Sequence, residues 1–335
     1  MKKLFKMICL VLIATSLQSN ITFAHNDNYG VLCYEYKNCF RGKKDIYNPN
    51  TVNLGDYVQS LAAMQYLPKN TNDGYTLIDR DSLCEYNGPK VKMIMNGWYF
   101  INEKNHVASD KINPLYVAFH INNGEDLGPK MIDYLKKHEP IGCRDYQTKR
   151  FLDKNGVKTY FSGCLTTTLD IDYKVPESER TNEIIFCDYK MGTYPQADNY
   201  LKSLKNYDFS KAEFVTHNFT KNSTHEERFK ESDRLLKKYA RAKLVVTSRI
   251  HCALPCLALG TPVILIKRNY DVKRFDGLYS LLNTIGKDKN KNFKINVKKD
   301  DAGNVINSDD YLKYRSELIK KCSNFTKLCG AGENK

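Results

Sequence analysis

Short apolar runs alternate along the chain with amphipathic segments of helical length. Runs rich in β-branched and aromatic residues predict buried strands at residues 91–96, 115–121, 158–162, 183–187, 213–217, 242–247 and 261–266. The segments around them predict helices at 53–66, 126–138, 145–154, 196–204, 226–241 and 250–259. This alternation is typical of α/β proteins with doubly wound parallel sheets and argues against a sandwich or a helical bundle.

The polar stretch 170–182, which contains Pro176, separates two series of such runs. We therefore predict two Rossmann-like domains facing a cleft, residues 25–170 and 171–335, which are ordinary domain sizes. The lysine-rich segment 287–299 is interpreted as a surface loop and the tail after Cys322 as the terminus of the chain, neither being a low-complexity domain.

The first 24 residues have the three parts of a secretory signal. Lysines 2, 3 and 6 precede an apolar core, Met7 to Leu17, and Thr22-Phe23-Ala24 provides small residues at −3 and −1 of a cleavage point. The core is shorter than the roughly 20 residues of a transmembrane helix. A cleaved signal peptide and an uncleaved signal anchor both fit, so we expect a secreted, periplasmic or membrane-anchored protein with possible membrane association through residues 1–24.

The composition excludes two classes of protein, and the distribution of charge argues against a nucleic-acid-binding protein. The chain of 335 residues is 41% hydrophobic and 12% aromatic with 18 Gly and 10 Pro, which excludes disordered and collagen-like proteins. Its net charge is +14, and removal of residues 1–24 takes away three lysines, 14 − 3 = +11. The lysines are spread over helices and loops instead of forming a basic stripe, so we predict no nucleic-acid partner.

Ten of the 11 cysteines remain after removal of the signal segment, because Cys9 lies within it. In an exported chain, Cys33 with Cys39 and Cys322 with Cys329 are plausible local disulfides. The chain has no CxxC motif, and Cys252 and Cys256 have no second pair, so we predict no metal site.

The most informative loop follows the predicted strand 242–247 and opens an apolar helix that Gly260 can close. Thr247 or Ser248 can cap that helix, and Arg249 and His251 then stand at its positive end. A guanidinium and an imidazole two residues apart make an anion site with a titratable proton donor. The alternative is a surface arginine and a histidine packed against the strand end.

A second loop, Pro140-Ile141-Gly142-Cys143-Arg144-Asp145, leads from a short strand into a helix. Arg144 suits forked recognition of a carboxylate or phosphate, and Asp145 can cap the helix. The alternative is an Arg–Asp pair at the surface.

Two further strand or loop ends carry polar residues. Asn53 or Asp56 can cap the helix that starts near Gly55, a pattern more often structural than ligand-binding. Asn96 lies two residues before Trp98, the one tryptophan of the chain. Trp98 either packs in the core or provides an aromatic platform for a sugar ring.

Five motifs in order carry a resemblance to a known family. They are NLGDYVQSLAA (53–63), MNGWY (95–99), PIGCRDYQT (140–148), YFSGCLTTTL (160–169) and TSRIHCALPCLALGTPVI (247–264). The set resembles the polysaccharide pyruvyl transferase family. The resemblance implies a fold similar to the B-type glycosyltransferases, phosphoenolpyruvate as donor and co-substrate without another cofactor, and an exopolysaccharide or other glycan sugar with two free hydroxyls as acceptor, giving a pyruvate ketal.

The same resemblance assigns roles to the residues found above. Arg144, Arg249 and the backbone at Ile250 match donor-binding positions, and His251 matches the proposed catalytic histidine. We expect His251 to protonate the donor's methylene carbon, since an unperturbed pKa of about 6.5 lets histidine cycle near neutrality. Lower-ranked candidates on the acceptor side are Asn53, Asp56 and Asn96.

Two rival functions stay open. A nucleotide-sugar-dependent glycosyltransferase of the same fold should bind a diphosphate, yet the chain has no Gly-rich dinucleotide fingerprint. A non-catalytic glycan-binding module is the other.

Phosphoenolpyruvate is a cytosolic metabolite, whereas residues 1–24 predict export from the cytosol. Either the segment anchors the protein in a compartment supplied with donor, or the start is misread, or the exported protein has changed its substrate.

Overall fold

A computed structural model describes residues 28–36, 50–68, 74–99, 107–121, 127–267 and 274–327. The predicted signal segment, Cys39 and Cys329 lie outside these residues, so both predicted disulfides do as well. Within the described ranges, every helix is too short or too polar to cross a membrane.

The strands, numbered in chain order, form two large sheets and one small ladder. They are β1 (Asn28–Cys33), β2 (Thr51–Asn53), β3 (Tyr75–Asp79), β4 (Val91–Tyr99), β5 (Ile112–Ile121), β6 (Ile141–Cys143), β7 (Thr159–Phe161), β8 (Ile184–Cys187), β9 (Glu213–Val215), β10 (Asn218–Thr220), β11 (Leu244–Thr247), β12 (Val263–Ile266), β13 (Asn283–Lys287) and β14 (Phe293–Asn296). The helices are α1 (Leu54–Met64), α2 (Pro129–Lys137), α3 (Tyr146–Lys154), α4 (Asp170–Tyr173), α5 (Pro195–Ser203), α6 (His225–Arg241), α7 (Ile250–Leu259) and α8 (Leu312–Thr326).

The first sheet has the order β3-β1-β4-β5-β6-β7 and is parallel throughout. The second has the order β14-β13-β12-β11-β8-β9 and is parallel except for the antiparallel pair β13/β14. Helices follow most strands, as parallel connections require. The predicted α/β fold with two Rossmann-like sheets is confirmed.

The first sheet ends with Phe161 and the second begins with Ile184. Between them, the stretch predicted to separate two domains contains α4, which packs on later helices. Asp170 pairs with Arg315 of α8, and Tyr173 donates a hydrogen bond to Asp233 of α6 at 3.0 Å.

The two halves share one apolar core. It joins residues of α1 and the first sheet, such as Val58 and Val117, to residues of the second sheet and its helices, such as Val245 and Leu254. The antiparallel ladder β2/β10 also joins the halves, and Leu54 N donates to His217 O at 2.8 Å. Helices α1 and α7 therefore meet between the sheets.

Helix α7 is buried along its whole length, as expected of a helix that is apolar on all sides. Gly260 ends it in the left-handed conformation at φ 68°, so the predicted C-cap is confirmed.

One expectation for the end of the chain, the loop at 287–299, is wrong. Segment 287–299 contains β14, an exposed edge strand whose lysines give no apolar signal, as is common for edges. The chain after Cys322 continues α8 to Thr326, whose carbonyl accepts a hydrogen bond from Tyr29 at 3.2 Å.

Candidate functional site

The carboxyl ends of three neighbouring strands of the first sheet meet the start of α7. Register places Trp98 of β4 beside His120 of β5, and the Arg144 amide after β6 donates to Phe119 O at 2.9 Å. From the second sheet, α7 brings His251 toward Arg144. Such strand ends are where open α/β sheets bind ligands.

Arg144 is fully buried, and within the described chain none of its three guanidinium nitrogens has a hydrogen-bond partner. Its Nε lies 4.0 Å from Asp145 Oδ2, a distance for an ion pair but not for a hydrogen bond. Burial and the charge of Arg274 lower the pKa of Arg144. Because an unsatisfied buried charge is costly, a bound anion that accepts from the guanidinium would stabilise this arrangement.

Arg274 provides the second cation at this place. Its guanidinium carbon lies 4.4 Å from the centre of the Trp98 ring, and its charge acts on Arg144, His120 and His251. Trp98 is only 3% exposed, so of its two predicted roles the structure supports packing, here as a surface for an arginine. Sequence reasoning missed Arg274, which lies among several basic residues with no distinguishing spacing.

His251 occupies the first turn of α7 and is 5% exposed. Its Nε2 has no hydrogen-bond partner within the described ranges. Burial, followed by the charges of Arg144 and Arg274, lowers its pKa well below 6.5, so the free site holds a neutral imidazole. An anion held between the two arginines would offset their charges and favour the protonated form.

His120 and Asp145 form a buried pair that sequence reasoning missed. His120 Nδ1 lies 2.5 Å from Asp145 Oδ2, and its Nε2 has no partner among the residues described. Asp145 Oδ1 also accepts from the Thr148 amide at 2.8 Å, which confirms the predicted cap of α3. The available signal was a histidine at the carboxyl end of a predicted strand.

Arg249 is the N-cap residue of α7. Its guanidinium is held by two residues of the C-terminal half of the chain. Nε donates to Asp188 Oδ2 and Nη2 to Asn218 Oδ1, both at 2.8 Å. Burial raises the pKa of Asp188, but Arg249 and nearby donors outweigh it and the pKa is lowered overall. The predicted role of Arg249 in binding the donor substrate therefore requires its guanidinium to exchange Asp188 and Asn218 for that substrate.

The predicted side-chain cap of α7 is wrong. Ser248 Oγ donates to Asp188 O at 2.7 Å, and Thr247 Oγ1 donates to Cys187 O at 3.0 Å, so no side chain caps the helix. Ile250 is the first helical residue and is buried. The backbone amides of this first turn lie at the positive end of the helix dipole, where a bound anion is favoured.

The three acceptor-side candidates differ in their surroundings. Asn53 caps α1 by accepting from Gly55 N at 3.1 Å. Asp56 accepts from Tyr36 at 2.8 Å and from Gln59 at 3.2 Å. Asn96 donates to Gln59 O at 2.8 Å, but in the described chain Asn96 Oδ1 and Gln59 Oε1 are buried without a donor. Of the three, Asn96 retains the clearest capacity to bind a hydroxyl.

One group in the described chain has metal-ligand chemistry, although we predicted no metal. Ligand atoms of Cys187, His217 and Cys252 lie within 4.8 Å of one another, fully buried. Tyr239 donates to Cys187 Sγ at 3.4 Å and its hydroxyl lies 3.0 Å from His217 Nε2. Burial raises the pKa of both thiols well above 9, which disfavours the thiolate forms that bind metals, while His217 Nδ1 has no hydrogen-bond partner among the residues described.

Two Rossmann-like sheets with arginines and histidines enclosed between them define an α/β protein with a buried, positively charged site. The family model for polysaccharide pyruvyl transferases matches residues 53–270, more than half of the chain. The chain belongs to the polysaccharide pyruvyl transferase family.

Other comparisons add little. A crystal structure of a functionally uncharacterized protein from Klebsiella pneumoniae subsp. pneumoniae NTUH-K2044 is 16% identical, with a TM-score of 0.42 over 77% of this chain and 90% of that one. The comparison with curated proteins gives no match.

Proposed function

We propose that this protein transfers pyruvate from phosphoenolpyruvate to a glycan sugar and forms a ketal with two sugar hydroxyls, using no cofactor besides this co-substrate. The observation that carries the proposal is the buried guanidinium of Arg144, which has no hydrogen-bond partner among the described residues and lies in the field of Arg274. Phosphoenolpyruvate holds a carboxylate and a phosphate close together, and two guanidinium groups match two such anions.

His251 is the proton donor in this proposal. The methylene carbon of phosphoenolpyruvate must gain a proton before a sugar hydroxyl can attack the adjacent carbon. His251 Nε2 is free of partners within the described ranges and lies in the field of both arginines. Donor binding would neutralise that field and raise the pKa of His251, so the imidazole gains its proton when the donor is in place.

The remaining candidates have supporting roles in this proposal. The Ile250 amide, and Arg249 after exchange of partners, would assist donor binding at the start of α7. On the acceptor side, Asn96 is supported by its unpaired oxygen, whereas Asn53 and Asp56 would act mainly by supporting the turn into α1.

The test uses the chain beginning at His25 with phosphoenolpyruvate and a panel of galactose- and mannose-type acceptors, and it measures phosphate release. We expect acceptor-dependent release by the wild type and a loss of roughly 100-fold or more in His251→Ala. His138→Ala is the matched control, because His138 lies at the end of α2 beside Tyr134. Equal rates in wild type and His251→Ala would remove His251 from the mechanism. Binding of a nucleotide sugar without any response to phosphoenolpyruvate would favour the glycosyltransferase alternative.

We propose further that residues 1–24 direct the chain into the secretory pathway or anchor it to a membrane. The support is the lysine–apolar–small-residue pattern of the sequence. N-terminal sequencing of the protein expressed with the segment distinguishes a new end at His25 from a retained anchor, and recovery of the intact chain from the cytosol would contradict both.

A further inference from the structure

The proposed reaction moves two protons, and His251 accounts for only one of them. The acceptor diol loses two hydroxyl protons while two bonds form from its oxygens to the donor's central carbon. One proton finishes on the methylene carbon, which becomes a methyl group. The other leaves on phosphate when the carbon–oxygen bond to phosphate breaks. A second group that accepts and returns a proton is therefore required.

We propose, on the basis of the proposed function, that His120 is the base that takes the proton of the first attacking hydroxyl, with Asp145 as its positioning residue. His120 Nε2 then returns this proton to the oxygen of the departing phosphate. The second hydroxyl attacks the same carbon and gives its proton to His251, which restores both histidines to their starting states.

The geometry of the buried pair gives His120 the form that a base needs. Asp145 Oδ2 lies 2.5 Å from Nδ1, so a neutral imidazole donates its one N–H to the carboxylate and presents the Nε2 lone pair. Thr148 fixes the carboxylate through its amide, and its hydroxyl lies 3.3 Å from Nδ1. The pair is therefore held from α3 while Nε2 has no partner in the described chain.

His120 lies close enough to His251 for the two imidazoles to interact electrostatically. Both imidazoles lie in the field of Arg144 and Arg274, and each of those arginines acts on both. Trp98 lies beside the His120 ring, with centroids 6.4 Å apart. The charged and titratable groups around His120 are Asp145 from α3, Arg144 after β6, Arg274 after β12 and His251 from α7.

Protonation states at neutral pH agree with this assignment. Burial, followed by Arg144 and Arg274, lowers the pKa of His120 well below 6.5, so the imidazole is unprotonated before the donor binds. Burial raises the pKa of Asp145 to about 6, which still leaves mainly a carboxylate at pH 7.

The decisive variants are His120→Asn and Asp145→Asn. The asparagine amide at position 120 occupies the place of Nδ1 and keeps a donor toward Asp145, but it has no group at the Nε2 position. Asparagine at 145 keeps an oxygen for the Thr148 amide while its NH₂ group donates to His120 Nδ1, which moves the histidine proton to Nε2. His138→Asn is the matched control.

Each variant is measured with phosphoenolpyruvate and the acceptor that gives the highest wild-type rate. We expect kcat to fall roughly 100-fold or more in both variants, while the Kd for phosphoenolpyruvate changes less than about threefold. An acceptor analogue with fluorine beside the attacked hydroxyls, which makes them more acidic, should narrow the gap between His120→Asn and wild type. A purely structural role would slow both acceptors equally.

The outcomes separate the two proposals. Wild type that releases no phosphate with any acceptor overturns the proposed function and the base assignment with it. Wild type that turns over, with His120→Asn within about threefold of its kcat, overturns the base assignment alone. Loss of phosphoenolpyruvate binding by His120→Asn also overturns it, because His120 would then belong to the donor site.

Discussion

Gly55 of α1 and His251 of α7 approach each other so closely that a side chain at position 55 would press on the histidine. A Cβ built on Gly55 lies 3.1 Å from His251 Cβ, 3.1 Å from Asn53 Oδ1 and 3.3 Å from His217 Nδ1. His251 Cβ cannot move without its backbone, and the His217 ring is buried and contacts the Tyr239 hydroxyl through Nε2. The glycine thus lets α1, from one half of the chain, set the position of the imidazole carried by the other.

Gly55→Ala should lower activity more than stability. Alanine gains up to about 1 kcal/mol of helix propensity, which offsets part of the strain of forcing α1 and α7 apart. A displacement of a few tenths of an ångström at His251 should lower kcat about tenfold, since proton transfer is sensitive to position. Phosphate-release kinetics and chemical denaturation measure the two effects.

Gly88→Ala is the control, because its Cβ would meet the Tyr86 ring, a side chain able to move away. A large loss of stability in Gly55→Ala without a kinetic effect would show that the contact serves packing only.

Arg144→Met should stabilise the free protein while abolishing donor binding. The guanidinium is buried without hydrogen bonds in the described chain, so an apolar side chain of similar length removes an uncompensated charge. We expect unfolding to require about 1–3 kcal/mol more free energy and phosphoenolpyruvate binding to become undetectable by calorimetry.

Arg150→Met is the matched control, because Arg150 forms an exposed ion pair with Asp276 and should change stability by less than about 1 kcal/mol. A marked loss of stability in Arg144→Met would mean that Arg144 is a structural cation and would remove the main support for the donor site.

Several of the elements that sequence reasoning predicted are buried on both faces. Strands β4, β5 and β11 and helix α7 bury nearly all their side chains, so continuous apolar runs identify them. The edge strands β3 and β14 expose most of theirs, so the same criterion misses them. The alternation predicts the fold class and two of the four edge strands, β7 and β9, but misses the edges β3 and β14.

Only some residues of the candidate site could be predicted from the sequence. Arg144 and His251 were predictable because each lies within a few residues of the end of a predicted strand, where the chain enters a helix. His120 lies inside a strand and acquires its chemistry only from Asp145, 25 residues later. Arg274 reaches the site by lying over Trp98, and the pairing of Arg249 with Asp188 depends on β8 lying beside β11. The position of His120 at the end of a predicted strand was a local signal, but the pairings of His120, Arg274 and Arg249 are tertiary relationships that the local sequence does not show.

The second cation of the donor site can be identified by comparing two arginines. Arg274 acts on Arg144 and both histidines, whereas Arg249 is held by Asp188 and Asn218. We expect Arg274→Met to weaken phosphoenolpyruvate binding by about tenfold or more, in line with loss of a charge-assisted hydrogen bond. Arg249→Met should weaken it less, and should destabilise the fold because it leaves the largely buried Asp188 carboxylate without its cation. The opposite ranking would mean that Arg249 leaves Asp188 when the donor binds.

The dependence of stability on pH should reveal the neutral histidines of the free site. The pKa of His251 is well below 6.5 in the folded protein and about 6.5 in the unfolded chain, so between these values only the unfolded chain holds the proton. Stability therefore rises with pH up to about 6.5 and is lost as pH falls below it. His120 acts in the same direction, whereas Asp145, with its pKa raised to about 6, binds a proton in the folded state between pH 3.8 and 6 and opposes it.

His251→Asn removes one of these protons without changing the other groups. Denaturation curves between pH 5 and 6 should therefore show a dependence on pH that is shallower than that of wild type by up to about 1.4 kcal/mol per pH unit, the value for one proton. His138→Asn, at a half-exposed site where burial lowers the pKa less, should change the dependence less. Parallel curves for wild type and His251→Asn would mean that His251 already carries its proton in the free protein. Binding of phosphoenolpyruvate would then not be needed to charge it.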